Sequence, residues 1–193
     1  MKIPTMIECL ELLRRVNLPD HIVGHSLQVA RCAVALAQHL NADGHRLNLD
    51  LVCAGGLLHD IAKDISLKTG ENHAQLGASM LEEMGLSLVA PIVRDHVYLD
   101  EGMLEAPFSE SLLVNYADKR VKHLNIVALD ERFSDLVTRY GKTPERKALL
   151  EHRHRLYKIL ERRLFAHTSL EPEHLAGEAL KIPWLQSCSL SSG

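Results

Sequence analysis

The chain has 193 residues, of which 46% are hydrophobic and 24% charged, with a formal net charge of −3. That balance fits one folded domain, or one domain plus a tail, and argues against a nucleic-acid binder. No run approaches the roughly 18 consecutive apolar residues of a membrane span, and MKIPTMIECLELLRR lacks the apolar core and cleavage site of a secretory signal.

The hydrophobic period is helical throughout, and no alternating strand stands out. A first helix is predicted over 5–16, with Ile7, Leu10, Leu13 and Val16 at helical spacing. NLPD breaks the chain, and Asp20 is the expected N-cap of a second helix over 21–41, where His25, Val29, Cys32, Leu36 and Leu40 share a face. A third helix is predicted over 48–62 and a fourth over 72–84, stopped by Gly85. A fifth covers 86–98, with Pro91 tolerated near its start. LDEGMLEAP reads as a loop. Ser109 caps a sixth helix over 110–123, and two more follow over 129–140 and 143–166. Residues 167–193 read as a partly irregular tail with one short helix over 171–180, anchored by Trp184. The expected fold class is therefore all-α: a helical core over 1–166 and a C-terminal extension over 167–193.

Charge is uneven along the chain. Residues 139–163 hold nine Lys/Arg against three Glu, a local +6 against −9 elsewhere. A solvated helix face accounts for such a run, and so does a strip that attracts phosphate. Leu149, Leu156, Leu160 and Leu164 form a stripe with Tyr157 in the same region, which suits packing on its own domain and leaves a homodimer contact open. Cys9, Cys32, Cys53 and Cys188 show no Cys-x-x-Cys spacing, as expected of reduced thiols in a cytoplasmic protein.

Six polar residues fall where the helical pattern calls for apolar ones: His25, His59, Asp60, His73, His96 and Asp118. Burying any of them without a partner is unfavourable. Singly, each has a bland explanation as a hydrogen-bonded core residue or a cap. Together, a metal site accounts for all six, because imidazole and carboxylate suit ions such as Fe, Mn, Zn or Ni. Gly55 and Gly56, one turn earlier, permit a close backbone approach. A carboxylate at Asp60 can bridge two ions, which one imidazole nitrogen cannot.

The ordered set of His25 in GHSLQVA, His59-Asp60 in LLHDIAKD and Asp118 in NYADKRV resembles the HD-domain (HDIG-type) metal-dependent phosphohydrolase superfamily. His73 in NHAQLGASML and His96 in VRDHVYLDEG are similar to the additional ligands of its small bacterial dinuclear branch. The nearest likenesses are dinucleoside-tetraphosphate hydrolases and HD modules fused to molybdenum-cofactor cytidylyltransferase-like domains. DHVYLDEGM lacks the Gly-Tyr-Pro signature of the cyclic-di-GMP phosphodiesterases.

The resemblance implies an HD-domain helical bundle and a divalent cofactor, two ions of Fe, Mn, Co, Ni or Zn. His25, His59, Asp60 and Asp118 would hold one ion; Asp60, His73 and His96 would hold the other. The expected reaction is hydrolysis of a nucleotide phosphoester or phosphoanhydride by a metal-activated hydroxide, with a dinucleoside polyphosphate favoured. Asp60 and Lys63 are the candidate catalytic residues, and Lys63, Arg94 and Lys119 the candidate substrate-binding ones. Two alternatives stand beside this: a mononuclear (deoxy)nucleoside monophosphate 5′-nucleotidase, and a non-catalytic module that senses a nucleotide.

Overall fold

The computed structural model describes residues 2–182; Trp184 and Cys188 lie outside them. In chain order the elements are α1 (Met6–Arg15), α2 (Asp20–Ala42), α3 (Leu49–Leu58), α4 (Lys63–Thr69), α5 (His73–Glu83), α6 (Ala90–Asp95), α7 (Glu101–Glu105) and α8 (Glu110–Arg120). A two-stranded antiparallel ribbon follows, β1 (Val121–Lys122) and β2 (Asn125–Ile126), with Val121 opposite Ile126. Then come α9 (Leu129–Tyr140), α10 (Pro144–Phe165), a 3-10 turn (Pro172–His174) and α11 (Leu175–Leu180). The fold is all-α, as the helical periodicity implied. No helix among the described residues is long and apolar enough to cross a membrane.

Helix α2 is the centre of the bundle, with α3, α8, α11 and β1 packed on it. Val29, Ala30, Cys32, Ala33, Val34, Leu36, Ala37 and Leu40 along it are fully buried. A helix apolar on most of its circumference belongs inside a core. Its small residues let neighbours approach: a Cβ on Gly56 of α3 would stand 2.6 Å from Ala30 Cα, and one on Gly55 would stand 2.6 Å from Ile92 Cγ2. These glycines bring the end of α3 close to α2 and α6. Leu156, Tyr157, Leu160 and Leu164 of α10 are buried within the domain, whereas Leu149 is exposed.

A buried polar network locks α8 to α10. Arg120 Nη1 donates to Glu161 Oε2 at 3.1 Å, Tyr116 donates its hydroxyl to the same oxygen at 2.7 Å, and Arg120 Nε donates to the Val127 carbonyl at 2.7 Å. Cys9, Cys32 and Cys53 are buried free cysteines. Burial pushes the Cys32 thiol up to about 12, so it is inert packing.

Local structure departs from the sequence expectation at five places. Helix α3 stops at Leu58 instead of running to 62, because the chain tightens into i→i+3 turns there: Ile61 N donates to Leu58 O at 3.0 Å and Lys63 N to Asp60 O at 2.9 Å. A separate helix, α4, then starts at Lys63. The fifth predicted helix shrinks to Ala90–Asp95, and α8 ends at Arg120 because the ribbon begins at Val121. LDEGMLEAP contains the short α7, capped by Asp100 Oδ1 accepting from Met103 N at 2.9 Å. Asp20 is the first helical residue of α2, with Pro19 in the N-cap position and no side-chain capping bond.

Candidate metal centre

Local backbone features place four of the six polar residues. The break after Leu58 frees His59 and Asp60 from helical registration, so their side chains can converge. His59 Nδ1 donates to the Gly56 carbonyl at 2.8 Å, and His96, just past α6, donates from Nδ1 to the Val93 carbonyl at 2.5 Å. His25 on α2 donates from Nδ1 to the His123 carbonyl at 3.3 Å. That carbonyl is turned inward by the ribbon loop, where His123 has φ +55°. A carbonyl only accepts, so in all three rings Nδ1 carries a proton, and Nε2 is the nitrogen turned toward the cluster.

Those nitrogens face the two carboxylates. His25 Nε2 lies 3.0 Å from Asp118 Oδ1, and His59 Nε2 lies 3.7 Å from the same oxygen and 3.6 Å from Asp60 Oδ2. On the other side of Asp60, Oδ1 is 3.2 Å from His73 Nε2 and 3.7 Å from His96 Nε2, and the two histidine nitrogens are 3.2 Å apart. Two groups thus have donor atoms close enough to share an ion: His25, His59 and Asp118, and His59, Asp60 and His96, with His73 beside the second. His59 Nε2 and Asp60 Oδ1 are buried with no hydrogen-bond partner. An orphaned lone pair and an orphaned carboxylate oxygen are unfavourable unless a cation sits between them. Donors each about 2.1 Å from one ion stand roughly 3.0–3.4 Å apart, close to the separations seen here. The residues therefore fit divalent metal.

The electrostatics agree. Burial depresses the His59 pKa to about 4, so the ring stays neutral. Burial alone would raise Asp60, but His59, His73, His96 and Lys63 outweigh it and hold the carboxyl well below the usual range. Asp118 is likewise raised by burial but lowered further by Lys119, His25 and His59. Both carboxylates are held ionised and the His59 ring neutral, as metal ligands must be.

The cluster forms the floor of a cavity of about 520 Å³. Lys63 lines it, with Nζ 3.5 Å from Asp60 Oδ1 and 3.3 Å from His73 Nε2. Lys119 lines the cavity too and contacts Asp118 Oδ2. Arg94 does not line it: it is exposed on α6 and its Nε donates to Asp95 Oδ1 at 2.9 Å, so the role expected for it lacks a structural basis. The basic strip borders the cleft, through Arg139, Arg146 and Arg153.

Two supporting residues were not singled out from sequence. His123 supplies a backbone carbonyl, which its side-chain type does not advertise. Asn115, buried on α8, donates to the Asp95 carbonyl at 2.9 Å and the Tyr98 carbonyl at 2.5 Å, and it accepts from the Tyr157 hydroxyl. It thereby braces the backbone on both sides of His96. An inward Asn after Val114 was the available signal.

The HD domain family model matches residues 22–164. The chain is 32% identical over 133 residues to a tRNA (cytidine(56)-2′-O)-methyltransferase of Thermoplasma volcanium, covering 68% of this chain and 37% of that protein. It is 38% identical over 85 residues to a ribonuclease Y of Fervidobacterium nodosum, covering 44% of this chain and 16% of the relative. It is 31% identical over 118 residues to a ribonuclease Y of Pseudothermotoga lettingae, covering 60% and 21%. The chain thus spans well under half the length of each of these relatives. No solved structure matches.

Proposed function

This chain belongs to the HD domain family, and from that premise we propose that it is a metal-dependent phosphohydrolase acting on a nucleotide phosphoester or phosphoanhydride. The observation that carries the reading is the convergence of the Nε2 atoms of His25, His59 and His96 on two buried carboxylates at the floor of a cation-lined cavity.

We assign one ion to His25, His59, Asp60 and Asp118, and a second to Asp60, His73 and His96. Support for the pair comes from Asp60, whose Oδ2 faces His59 while Oδ1 faces His73 and His96. The donor set suits Fe, Mn, Co, Ni or Zn. When bound, such ions supply positive charge to phosphoryl oxygens and lower the pKa of coordinated water. The chain's own groups do the rest. The Gly56, Val93 and His123 carbonyls fix the three imidazoles. Asp60 and Asp118 stay ionised at neutral pH. Lys63, about a third exposed, reaches the cavity beside Asp60 and places a cation against the phosphate, and Lys119 can do the same beside Asp118.

For the substrate, the reading carried forward is a dinucleoside polyphosphate, supported by the two half-sites and the basic wall. A phosphodiester of RNA is a second reading, favoured by the relatives named ribonuclease Y. The test is product release from diadenosine tetraphosphate, AMP and a short single-stranded RNA, with Fe, Mn, Co and Mg in turn. Turnover of the dinucleotide that Asp60→Asn abolishes is expected. Cleavage of RNA alone would move the assignment to the second reading, and no turnover of any of them would overturn the enzyme.

A further inference from the structure

One wall of the cavity is lined by residues of α9 and α10. Along α10, Arg146, Leu150, Arg153 and Tyr157 all line the cavity. Their i, i+4, i+7, i+11 spacing makes them one stripe of the helix. On α9, Arg132 and Arg139 line it too. Asp135 holds that second pair in place, with Oδ2 3.4 Å from Arg132 Nη1 and Oδ1 3.0 Å from Arg139 Nε. Arg139 Nη2 also donates to His123 Nε2 at 2.7 Å.

The α10 arginines differ. Among the described residues, neither Arg146 nor Arg153 has a hydrogen-bonded or acidic partner for its guanidinium, whereas Lys147 and Lys158 on the same helix pair with Glu151 and Asp130. The acidic residues that line the cavity are Asp60 and Asp118, both already engaged by the histidines and lysines at its floor. Two guanidiniums without a counter-charge among the described residues therefore face a space whose lining carboxylates are committed elsewhere. Unpaired guanidiniums on a cavity wall attract anions, and a planar guanidinium matches phosphate oxygens two at a time.

We propose that this wall is a second anion subsite, in which Arg146 and Arg153 take the phosphate next to the one at the metal centre, so that the substrate carries at least two adjacent phosphate groups. The inference rests on the reading of the floor as a phosphoryl-binding metal centre, and it adds what selects the ligand. Arg132 and Arg139, pinned by Asp135, line the same wall and keep its potential positive.

The test is calorimetric binding of α,β-methylene-ADP, whose bridge cannot be hydrolysed, and of methylphosphonate, which offers one anionic group. Both are titrated into the full chain, metal-loaded and chelator-treated. Arg146→Met and Arg153→Met should each weaken the diphosphate analogue about tenfold, the loss of one charge-assisted contact. Methylphosphonate binding to the loaded protein should be unchanged. Arg162→Met, exposed on α10 but outside the cavity, should alter neither ligand, and Arg153→Lys should recover part of the affinity. Unchanged melting temperatures show that the variants fold, as expected for side chains that reach into open space.

Equal affinity of the analogue for wild type and both Met variants, or no binding in either metal state, would overturn the subsite. So would equal losses for the two ligands. Failure of the parent reading has a different signature: no phosphate ester is turned over with any metal, while the arginine-dependent binding of the analogue persists.

Discussion

Gly56→Ala probes the contact that brings α3 against α2 just before the His59-Asp60 pair. The new Cβ would stand 2.6 Å from Ala30 Cα and 3.0 Å from Ala30 N. Carbon atoms rest about 3.5–4.0 Å apart, so the two helices must separate by roughly 1 Å. The obstacle is backbone, which cannot swing aside as a side chain does. Overpacking of this kind destabilises by about 1–3 kcal/mol, and alanine returns about 0.8–1 kcal/mol of helix propensity. The net expectation is a loss of up to about 2 kcal/mol, read as a lower urea midpoint with unchanged slope. The site should suffer as well, because the Gly56 carbonyl holds His59 Nδ1 at 2.8 Å. Disturbing such a supporting bond weakens metal binding about 10–100-fold, measurable by competition with a chromophoric chelator. Gly177→Ala in α11, where an added Cβ meets nothing within 4 Å, is the control and should stabilise slightly. If Gly56→Ala proves as stable as wild type with full metal affinity, the packing account of this glycine is wrong.

Acid should destabilise the metal-free protein earlier than its carboxylates alone predict. His59 falls from 6.5 to about 4 on folding, so between those values the unfolded chain binds a proton that the folded one refuses. Stability is full above about pH 6.5 and declines by about 3 kcal/mol as pH falls to about 4; a urea midpoint constant from pH 7 to 4.5 would refute this. Glu161→Ala strips the carboxylate from buried Arg120 and the Tyr116 hydroxyl, and should cost about 3–5 kcal/mol in denaturant titration because it strands a buried charge. Tyr157→Phe removes the hydroxyl that donates to Asn115, and should loosen the His96 half-site, seen as weaker binding of the second ion with the first unaffected.

The helical fold and the six convergent residues were legible because both depend on periodicity: ligand-type side chains at His25, His73, His96 and Asp118 interrupt apolar faces that the sequence displays. What stayed hidden depends on backbone direction. The break after Leu58 arises from tertiary turns and not from Gly or Pro, so the pattern read through it to residue 62. The ribbon at 121–126 is too short to show alternation, and its contribution to the site is the His123 carbonyl, common to every residue type. The charge of the 139–163 strip was visible, but its orientation was set by how α10 packs on α8 and α9 through Tyr157 and Phe133, which no count of lysines and arginines contains. Arg94 was a candidate substrate-binding residue, yet on the short α6 it pairs with its neighbour Asp95 instead.

Metal content per chain tests the central claim most directly. The 193-residue chain reconstituted with manganese and freed of excess metal should carry two ions by elemental analysis, one after His73→Ala, and fewer than two after Asp60→Asn, which removes the shared carboxylate charge. A single ion in the saturated wild type, with the His73→Ala protein unchanged, would contradict the paired site built around Asp60.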